Sequence, residues 1–327
     1  MIEPEIPVPL SELYQTIGSL FFPDHLSARQ DVERTNARFA HYTSAAVAMS
    51  ILQKPYIWMR NAITMNDFSE VRHGQSCVLP MFIDDQPGNK ILAFLEEIYP
   101  GIAGEFIEAF NSWMPDFEQE TFLTSLSVHH PSEDALGRLS MWRAYGQGNG
   151  VALVLNNTPF MAETSELKAI STPVSYLAPD EYKQKLERIY ATLVGRRDEV
   201  VGLGREMIYG CIFQMVKVDM LCTKHHGFAE EQEWRVLYQP TFEKSPVIVP
   251  DFAVIDGIPQ QIHKIPLLND PKNGLIGADI DSILERIIIG PTKQPLTMKQ
   301  AFIALLRDAN VNKPEERVFV SEIPLRT

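Results

Sequence analysis

The chain has 327 residues, of which 45% are hydrophobic and 22% are charged. This is the composition of a globular protein, and it excludes a largely disordered chain. The formal net charge of −13 repels phosphate backbones, so broad non-specific binding of nucleic acid is not expected. A small ligand or a local basic groove remains compatible with that charge.

Several features of the sequence are typical of a cytoplasmic protein. The three cysteines are an odd and sparse set without Cys-x-x-Cys spacing, which argues against a disulfide framework. The first ten residues are acidic and interrupted by prolines, unlike a signal peptide. No apolar run approaches the roughly 20 residues that a membrane-spanning helix needs. We therefore expect a cytoplasmic protein that does not contact the membrane.

The predicted strands are short segments with alternating or β-branched residues. In chain order they cover residues 38–42, 56–59, 121–127, 151–156, a segment that starts near Glu233, 246–255, 262–266, 285–289 and 317–321. The predicted helices have apolar residues at helical spacing and cover residues 10–21, 45–52, 91–113 with a break at Pro100-Gly101, 136–145, 179–222 with a break at 195–204, and 297–309. Thr43 or Ser44 is expected to cap the second helix.

These elements predict an α+β fold with a mixed or antiparallel β core. Residues 1–35 form an N-terminal arm in this prediction, and residues 36–327 form a single domain. The helical stretch at about 180–222 is an insertion in that domain.

Two carboxylates open the predicted strand in GFAEEQEWRVLYQP, residues 227–240. Glu231 and Glu233 are two residues apart, so both point to one side if the strand begins with them. Arg235 then shares that side. A pairing of Arg235 with one of the acids is the structural alternative to a functional role for the carboxylates.

The segment SMWRAYG, residues 140–146, places Trp142 and Tyr145 three apart on a predicted helix. The two rings either belong to the core or wall a pocket for a planar ring such as a base or nicotinamide. Arg143 faces another side of the helix, where it meets either a ligand phosphate or solvent.

The other polar motifs favour loops over binding sites. Asn66 and Asp67 in MNDFSE suit a turn, with ligand binding as the alternative. The glycine-rich GQGNG precedes a strand, so it lacks the strand-to-helix geometry of a dinucleotide-binding loop. Cys222 and the neighbouring histidines lack the spacing of a zinc site, and no metal is expected.

Several separate motifs together resemble the bacterial family catalogued as domain of unknown function 2971. In chain order they are HYTS, MNDFSE, SLS, LSMWRAYGQGNGVAL, KHHGFAEEQEWRV and IIIGP. The family's hallmarks are a His-Tyr start, an Asn-Asp-x-x-Glu loop, a Met-Trp-x-x-Tyr-Gly segment and a Phe-x-x-Glu-x-Glu-x-Arg segment. The similarity extends over roughly residues 38–290, and the family name implies no function.

A more distant similarity links the chain to ADP-ribosyltransferases. That class combines a His or Arg on an early strand, a Ser or Tyr on a middle strand, and a Glu, often as Glu-x-Glu, on a late strand. Here these places are taken by His41, by Ser125 and Ser127 in TSLS, and by Glu231 and Glu233. The signature is mixed, because His41 stands where the arginine-type class carries Arg. The resemblance implies an ADP-ribosyltransferase-like split sheet.

The same resemblance implies NAD as the substrate. Glu233 would bond the ribose 2′-OH and stabilise an oxocarbenium-like state, while Glu231 would accept a proton from the attacking group. His41 would hold the adenosine ribose, and Ser125 or Ser127 would orient the catalytic Glu. The predicted NAD-binding residues are His41, Asn66, Asp67, Trp142, Arg143 and Tyr145.

The predicted activity is ADP-ribosyl transfer to an unidentified macromolecular acceptor, or NAD hydrolysis, as in toxins or anti-phage effectors. One alternative is a non-catalytic nucleotide-binding or regulatory module that keeps the pocket. Another is a nuclease that holds Mg²⁺ with carboxylates, since these suit that ion. Its ligands would be Asp67, Glu70, Glu231 and Glu233.

Overall fold

The computed structural model describes residues 11–64, 68–146, 148–161, 167–255, 257–273 and 275–324, with the backbone alone at 68–71 and 118. Its strands are β1 Arg38–Ser44, β2 Tyr56–Asn61, β3 Phe122–His129, β4 Gly150–Leu155, β5 Ala169–Pro173, β6 Ser175–Tyr176, β7 Thr223–Lys224, β8 Glu233–Tyr238, β9 Val249–Ile255, β10 Ile258–Pro266, β11 Leu284–Ile289 and β12 Val318–Val320.

The strands form one large mixed sheet and a small parallel pair. The path through the large sheet is β12-β11-β4-β1-β3-β2-β10-β9. β8 pairs with β3 and with β5, so the sheet also branches at β3. The pair β11 and β12 is parallel, and the other registered pairs of this sheet are antiparallel. β6 and β7 pair separately.

Two strands share one edge of β3 and leave a stretch of it unpaired. Residues 127–129 of β3 pair with 38–40 of β1, and residues 122–123 pair with 60–61 of β2. Residues 124–126 have no registered partner on this edge in the part of the chain that the structure describes. β1 and β2 therefore diverge beside Ser125. This divergence positions the candidate site.

The helices surround the sheet and also form a core of their own. They are α1 Glu12–Phe21, α2 Pro23–Thr35, α3 Ala45–Gln53, α4 Phe68–Val78, α5 Pro87–Ile98, α6 Ile102–Gln119, α7 Leu139–Tyr145, α8 Pro179–Gly195, α9 Arg197–Leu203, α10 Arg205–Cys222, α11 Ile280–Ile283, α12 Pro295–Asp308 and α13 Pro314–Arg317. One apolar cluster joins buried residues of α1, α4, α5, α6, α8, α9 and α10. A second cluster lies against β1, β4 and β11 and is covered by α3 and α12.

Most predicted elements agree with these bounds, and the α+β class with a mixed sheet is confirmed. Ser44 caps α3 by accepting a hydrogen bond from the Val47 amide at 3.3 Å. The stretch 179–222 is helical, with breaks at Arg196 and Gly204. The sequence did not predict α2, and Leu20 and Phe21 of the supposed arm are buried in the helical cluster. Within the described residues, no helix is both long and apolar enough to cross a membrane.

Candidate functional site

A cavity of about 440 Å³ lies where β1 and β2 diverge from β3. This volume is typical of a small-molecule pocket. Its wall contains these residues predicted for the site: His41, Ser125, Ser127, Tyr145, Glu231 and Glu233. His41, Ser125 and Glu233 lie on β1, β3 and β8, and β3 is registered with each of the other two strands. The three residues therefore lie on adjacent strands around one cleft, whereas their roles stay a prediction.

Glu233 is the centre of the polar network in this wall. The Ser125 hydroxyl donates to Glu233 Oε1 at 2.6 Å. Arg235 donates to both carboxylate oxygens, with Nε at 2.7 Å and Nη2 at 3.2 Å, and the Lys224 ammonium lies 3.0 Å from Oε2. The Glu233 amide donates to the Tyr176 hydroxyl at 2.8 Å. The carboxylate is therefore held from three sides.

The charges around Glu233 keep its carboxylate ionised. Burial in the sheet raises the pKa of Glu233, but Arg235 and Lys224 outweigh burial and lower this pKa to about 2. Both cations are almost fully buried. The pairing of Arg235 with Glu233 was the structural alternative foreseen from the sequence, and both partners are buried, not on an exposed strand edge.

Glu231 reaches the same wall by a different route from the predicted one. The strand begins at Glu233, and Glu231 ends a 3₁₀ turn over His226–Glu231. Gln232 between them is left-handed, with φ 45°. Alternation along a strand therefore does not explain why the two acids converge. They converge because the turn folds back, and Arg138 holds it by donating to the Glu231 carbonyl at 2.8 Å.

Lys224 connects the two carboxylates. Its ammonium lies 2.7 Å from Glu231 Oε2 and 3.0 Å from Glu233 Oε2. The nuclease alternative assigned both acids to Mg²⁺, whereas here they pair with this buried ammonium. The other carboxylates of the nuclease alternative were Asp67, which lies outside the described residues, and Glu70, whose side chain is not described. In the described part of the chain, no group of three His, Cys, Asp or Glu residues is arranged to hold a metal.

His41 caps the unpaired part of β3. Its Nδ1 lies 3.3 Å from the Ser125 carbonyl oxygen. Burial lowers the pKa of His41, so the ring is neutral near pH 7. Because a carbonyl only accepts, Nδ1 carries the proton and Nε2 is an acceptor. His41 thus offers the cavity a hydrogen-bond acceptor.

The three residues predicted from SMWRAYG lie in three different environments in the structure. Tyr145 is 39% exposed and lines the cavity. Trp142 is buried, packs edge-on against Tyr42 at 4.8 Å between ring centroids, and donates to the Leu136 carbonyl at 2.9 Å. Arg143 is exposed to solvent and is not in the cavity wall. The predicted pocket-lining role for Trp142 is therefore replaced by a core position, because its ring fills the space beside Tyr42.

Of the remaining predicted residues, the structure describes Ser127 but not Asn66 or Asp67. Ser127 is buried in the cavity wall, directly opposite Glu233 in the strand register. Asn66 and Asp67 lie outside the described residues.

Sequence reasoning missed three residues that shape the site. Lys224 bridges the acids, Arg138 holds the turn before β8, and the Tyr176 hydroxyl accepts from the Glu233 amide. Lys224 lies in KHHGFAEEQEWRV, so its proximity to two acids was a usable signal. Arg138 and Tyr176 come from distant segments, and no local pattern indicates their contacts.

Comparison with known proteins supports the family resemblance and no more. The family described as "Protein of unknown function (DUF2971)" matches residues 141–236, which include Tyr145, Glu231 and Glu233. The similarity to this family predicted from the motifs is confirmed over that region. No curated protein and no solved structure is significantly similar to the chain.

Proposed function

We propose that the chain cleaves the nicotinamide–ribose bond of NAD and transfers the ADP-ribosyl group to an acceptor or to water. The observation that carries this proposal is the buried, ionised Glu233, hydrogen-bonded to Ser125, in the wall of a cavity that His41 and Tyr145 also line. The motif resemblance to ADP-ribosyltransferases supports this proposal. We also propose that the chain has their split sheet. A toxin or an anti-phage effector is the biological role that fits such an activity.

The proposed reaction breaks the bond between ribose C1′ and the nicotinamide nitrogen, whose electron pair leaves with nicotinamide. The positive charge that develops on the ribose is stabilised by a fixed carboxylate, as in glycosidases. Glu233 supplies that carboxylate, and Ser125 fixes the position of Oε1. Glu231, on the same wall, accepts the proton of the attacking hydroxyl or water.

The other groups of the cavity bind the substrate in this proposal. Neutral His41 accepts a hydrogen bond from a ribose hydroxyl through Nε2, since Nδ1 is engaged with Ser125. Tyr145 offers an exposed ring for stacking on a planar base or on nicotinamide.

One observation favours a second candidate, a non-catalytic nucleotide-binding module. Arg235 and Lys224 both pair with Glu233, so two buried cations offset the charge that would stabilise the reacting ribose. With its charge offset in this way, the Glu233 carboxylate would help to hold a bound nucleotide but would not stabilise the reacting ribose, so no turnover would follow.

Purified protein incubated with NAD, with nicotinamide release followed over time, tests the proposal. Nicotinamide with free ADP-ribose indicates hydrolysis, and nicotinamide with a labelled macromolecule indicates transfer. Saturable NAD binding without release supports the binding module and contradicts the enzyme. Mg²⁺-dependent cleavage of nucleic acid without nicotinamide release would instead support the nuclease.

A further inference from the structure

A second cavity, of about 680 Å³, lies beside α10 and the strands β3, β5 and β8. Of the described residues, only Thr124 and Leu126 line both this cavity and the candidate site. Most of its lining is apolar, with walls built from residues such as Leu126, Val236, Phe242, Ile265, Leu267 and Ile283. Nothing in the proposed NAD chemistry uses it.

Two buried cations, Arg29 and Lys217, line this cavity. Lys217 of α10 is only 5% exposed, and its ammonium lies 4.9 Å from the centre of the Phe242 ring. No oxygen of the described residues accepts a hydrogen bond from that ammonium. A buried ammonium without a carboxylate or carbonyl partner is costly, and the face of a ring offsets only part of the cost. Burial also lowers the pKa of Lys217 to about 8.

The other polar groups of the lining leave this charge unmatched. Lys168 pairs with Glu243 at 3.1 Å, so that acid is already engaged. Arg29 donates through Nη2 to the Met161 carbonyl, while its buried Nε has no partner among the described residues. Gln214 lies one turn before Lys217 on the same helix, and its side-chain oxygen has no hydrogen-bond partner among the described residues. Both Gln214 and Lys217 line this cavity.

We propose that this cavity binds an aliphatic monocarboxylate. The carboxylate would accept hydrogen bonds from Lys217, and the aliphatic chain would lie against the apolar walls formed by residues such as Val236 and Ile265. A single negative charge matches the one ammonium of the described lining that has no oxygen partner, since Lys168 pairs with Glu243. A dianionic phosphate would need further donors, but Lys168 is engaged with Glu243, and Arg29 donates through Nη2 to the Met161 carbonyl and keeps only Nε without a partner among the described residues. The mostly apolar lining suits a hydrocarbon body better than a sugar.

The test compares decanoate with decan-1-ol by isothermal titration calorimetry on the full chain. The two probes share a hydrocarbon body and differ in the charged group. We expect one decanoate per chain, bound at least about tenfold more tightly than decan-1-ol, because a hydrogen bond between charged partners is stronger than a neutral one. Decyl phosphate, with the same body, should bind more weakly than decanoate.

Two variants of the same position assign the effect to the ammonium. Lys217→Met keeps the length of the side chain and removes the charge, so decanoate affinity should fall at least about tenfold and become similar to that of decan-1-ol. Lys217→Arg keeps the charge and should retain the preference for decanoate. A circular-dichroism melt verifies that each variant is folded. Lys217→Met should melt no lower than the wild type, because it removes an unpaired buried charge.

The inference would be overturned by no saturable binding of decanoate, by equal affinity for decanoate and decan-1-ol, or by unchanged decanoate binding in folded Lys217→Met. Tighter binding of decyl phosphate than of decanoate would also contradict it and would assign a phosphate site. NAD turnover is a separate readout, because Lys217 does not line the candidate site. Failure of one proposal is therefore distinguishable from failure of the other.

Discussion

The Ser125 hydroxyl donates to Glu233 Oε1 at 2.6 Å, across the adjacent strands β3 and β8. Ser125 and Glu233 are not directly opposite each other in the strand register. Ser125 is opposite Arg235, and Ser127 is opposite Glu233. The bond therefore runs diagonally, at the point where β1 and β2 leave the other edge of β3. It connects the floor of the cavity to the buried carboxylate of Glu233.

Ser125→Ala should reduce NAD turnover about tenfold, because it removes one charge-assisted hydrogen bond that positions the carboxylate. Glu233 stays ionised and paired with Arg235, so the stability loss should be no more than about 1–2 kcal/mol. Nicotinamide release and a urea melt measure the two effects. Ser140→Ala is the matched control, since its hydroxyl has no partner among the described residues and does not line the cavity. Equal turnover in both variants would show that Ser125 does not orient the carboxylate.

Glu231→Gln should impair transfer to an acceptor more than hydrolysis of NAD, because only the attacking group needs the base. The measurement is the ratio of labelled acceptor to free ADP-ribose. Lys224 keeps its contact with Glu233 in this variant, so the site remains held together. An equal loss of both products would instead indicate that Glu231 acts by supporting Lys224.

Much of this arrangement follows from local patterns, and the rest depends on contacts between distant segments. Alternation and β-branched runs predict β1, β3 and β8, and the Glu-x-Glu motif identifies Glu233. The turn at Gln232 was missed, because its left-handed φ has no glycine to indicate it.

Trp142 shows why a local pattern does not separate core from pocket. Its ring is covered by glycines far apart in the chain, and a Cβ on Gly137 or Gly290 would lie 2.4 or 2.7 Å from it. The close fit depends on three-dimensional neighbours that the helix pattern of residues 140–146 does not reveal.

Trp142→Ala should therefore destabilise the fold by about 3–5 kcal/mol, as truncations of large core side chains do. Its effect on the KM for NAD should be small in protein that remains folded. Tyr145→Ala should behave in the opposite way, with a raised KM and little loss of stability, because Tyr145 is exposed in the cavity wall. Thermal melts and steady-state kinetics on the two variants check this contrast. If only Trp142→Ala raised the KM for NAD, Trp142 and not Tyr145 would be the ring that contacts the substrate.

The free energy of unfolding should fall as the pH drops from about 4.5 to about 2. The pKa of Glu233 is about 2 in the folded chain, against an ordinary value of 4.5. Its ionisation therefore stabilises the fold fully when the pH is above 4.5, the pKa of the unfolded chain. That contribution, about 3 kcal/mol, is lost as the pH falls through the folded pKa. Urea melts across this range on the wild type and Glu233→Gln measure it. The variant should lack this part of the pH dependence, and identical profiles would contradict the strong pairing of Glu233.

Nicotinamide release by Glu233→Gln, measured beside the wild type, tests the central claim most directly. The substitution keeps the shape of the side chain and removes its charge. Since Glu233 pairs with two buried cations, the variant should lose several kcal/mol of stability, and the assay belongs at a temperature where a melt shows it folded. We expect turnover to fall on the order of 100-fold or more while NAD binding weakens little. Unchanged nicotinamide release by folded Glu233→Gln would contradict the proposal that this carboxylate stabilises the reacting ribose.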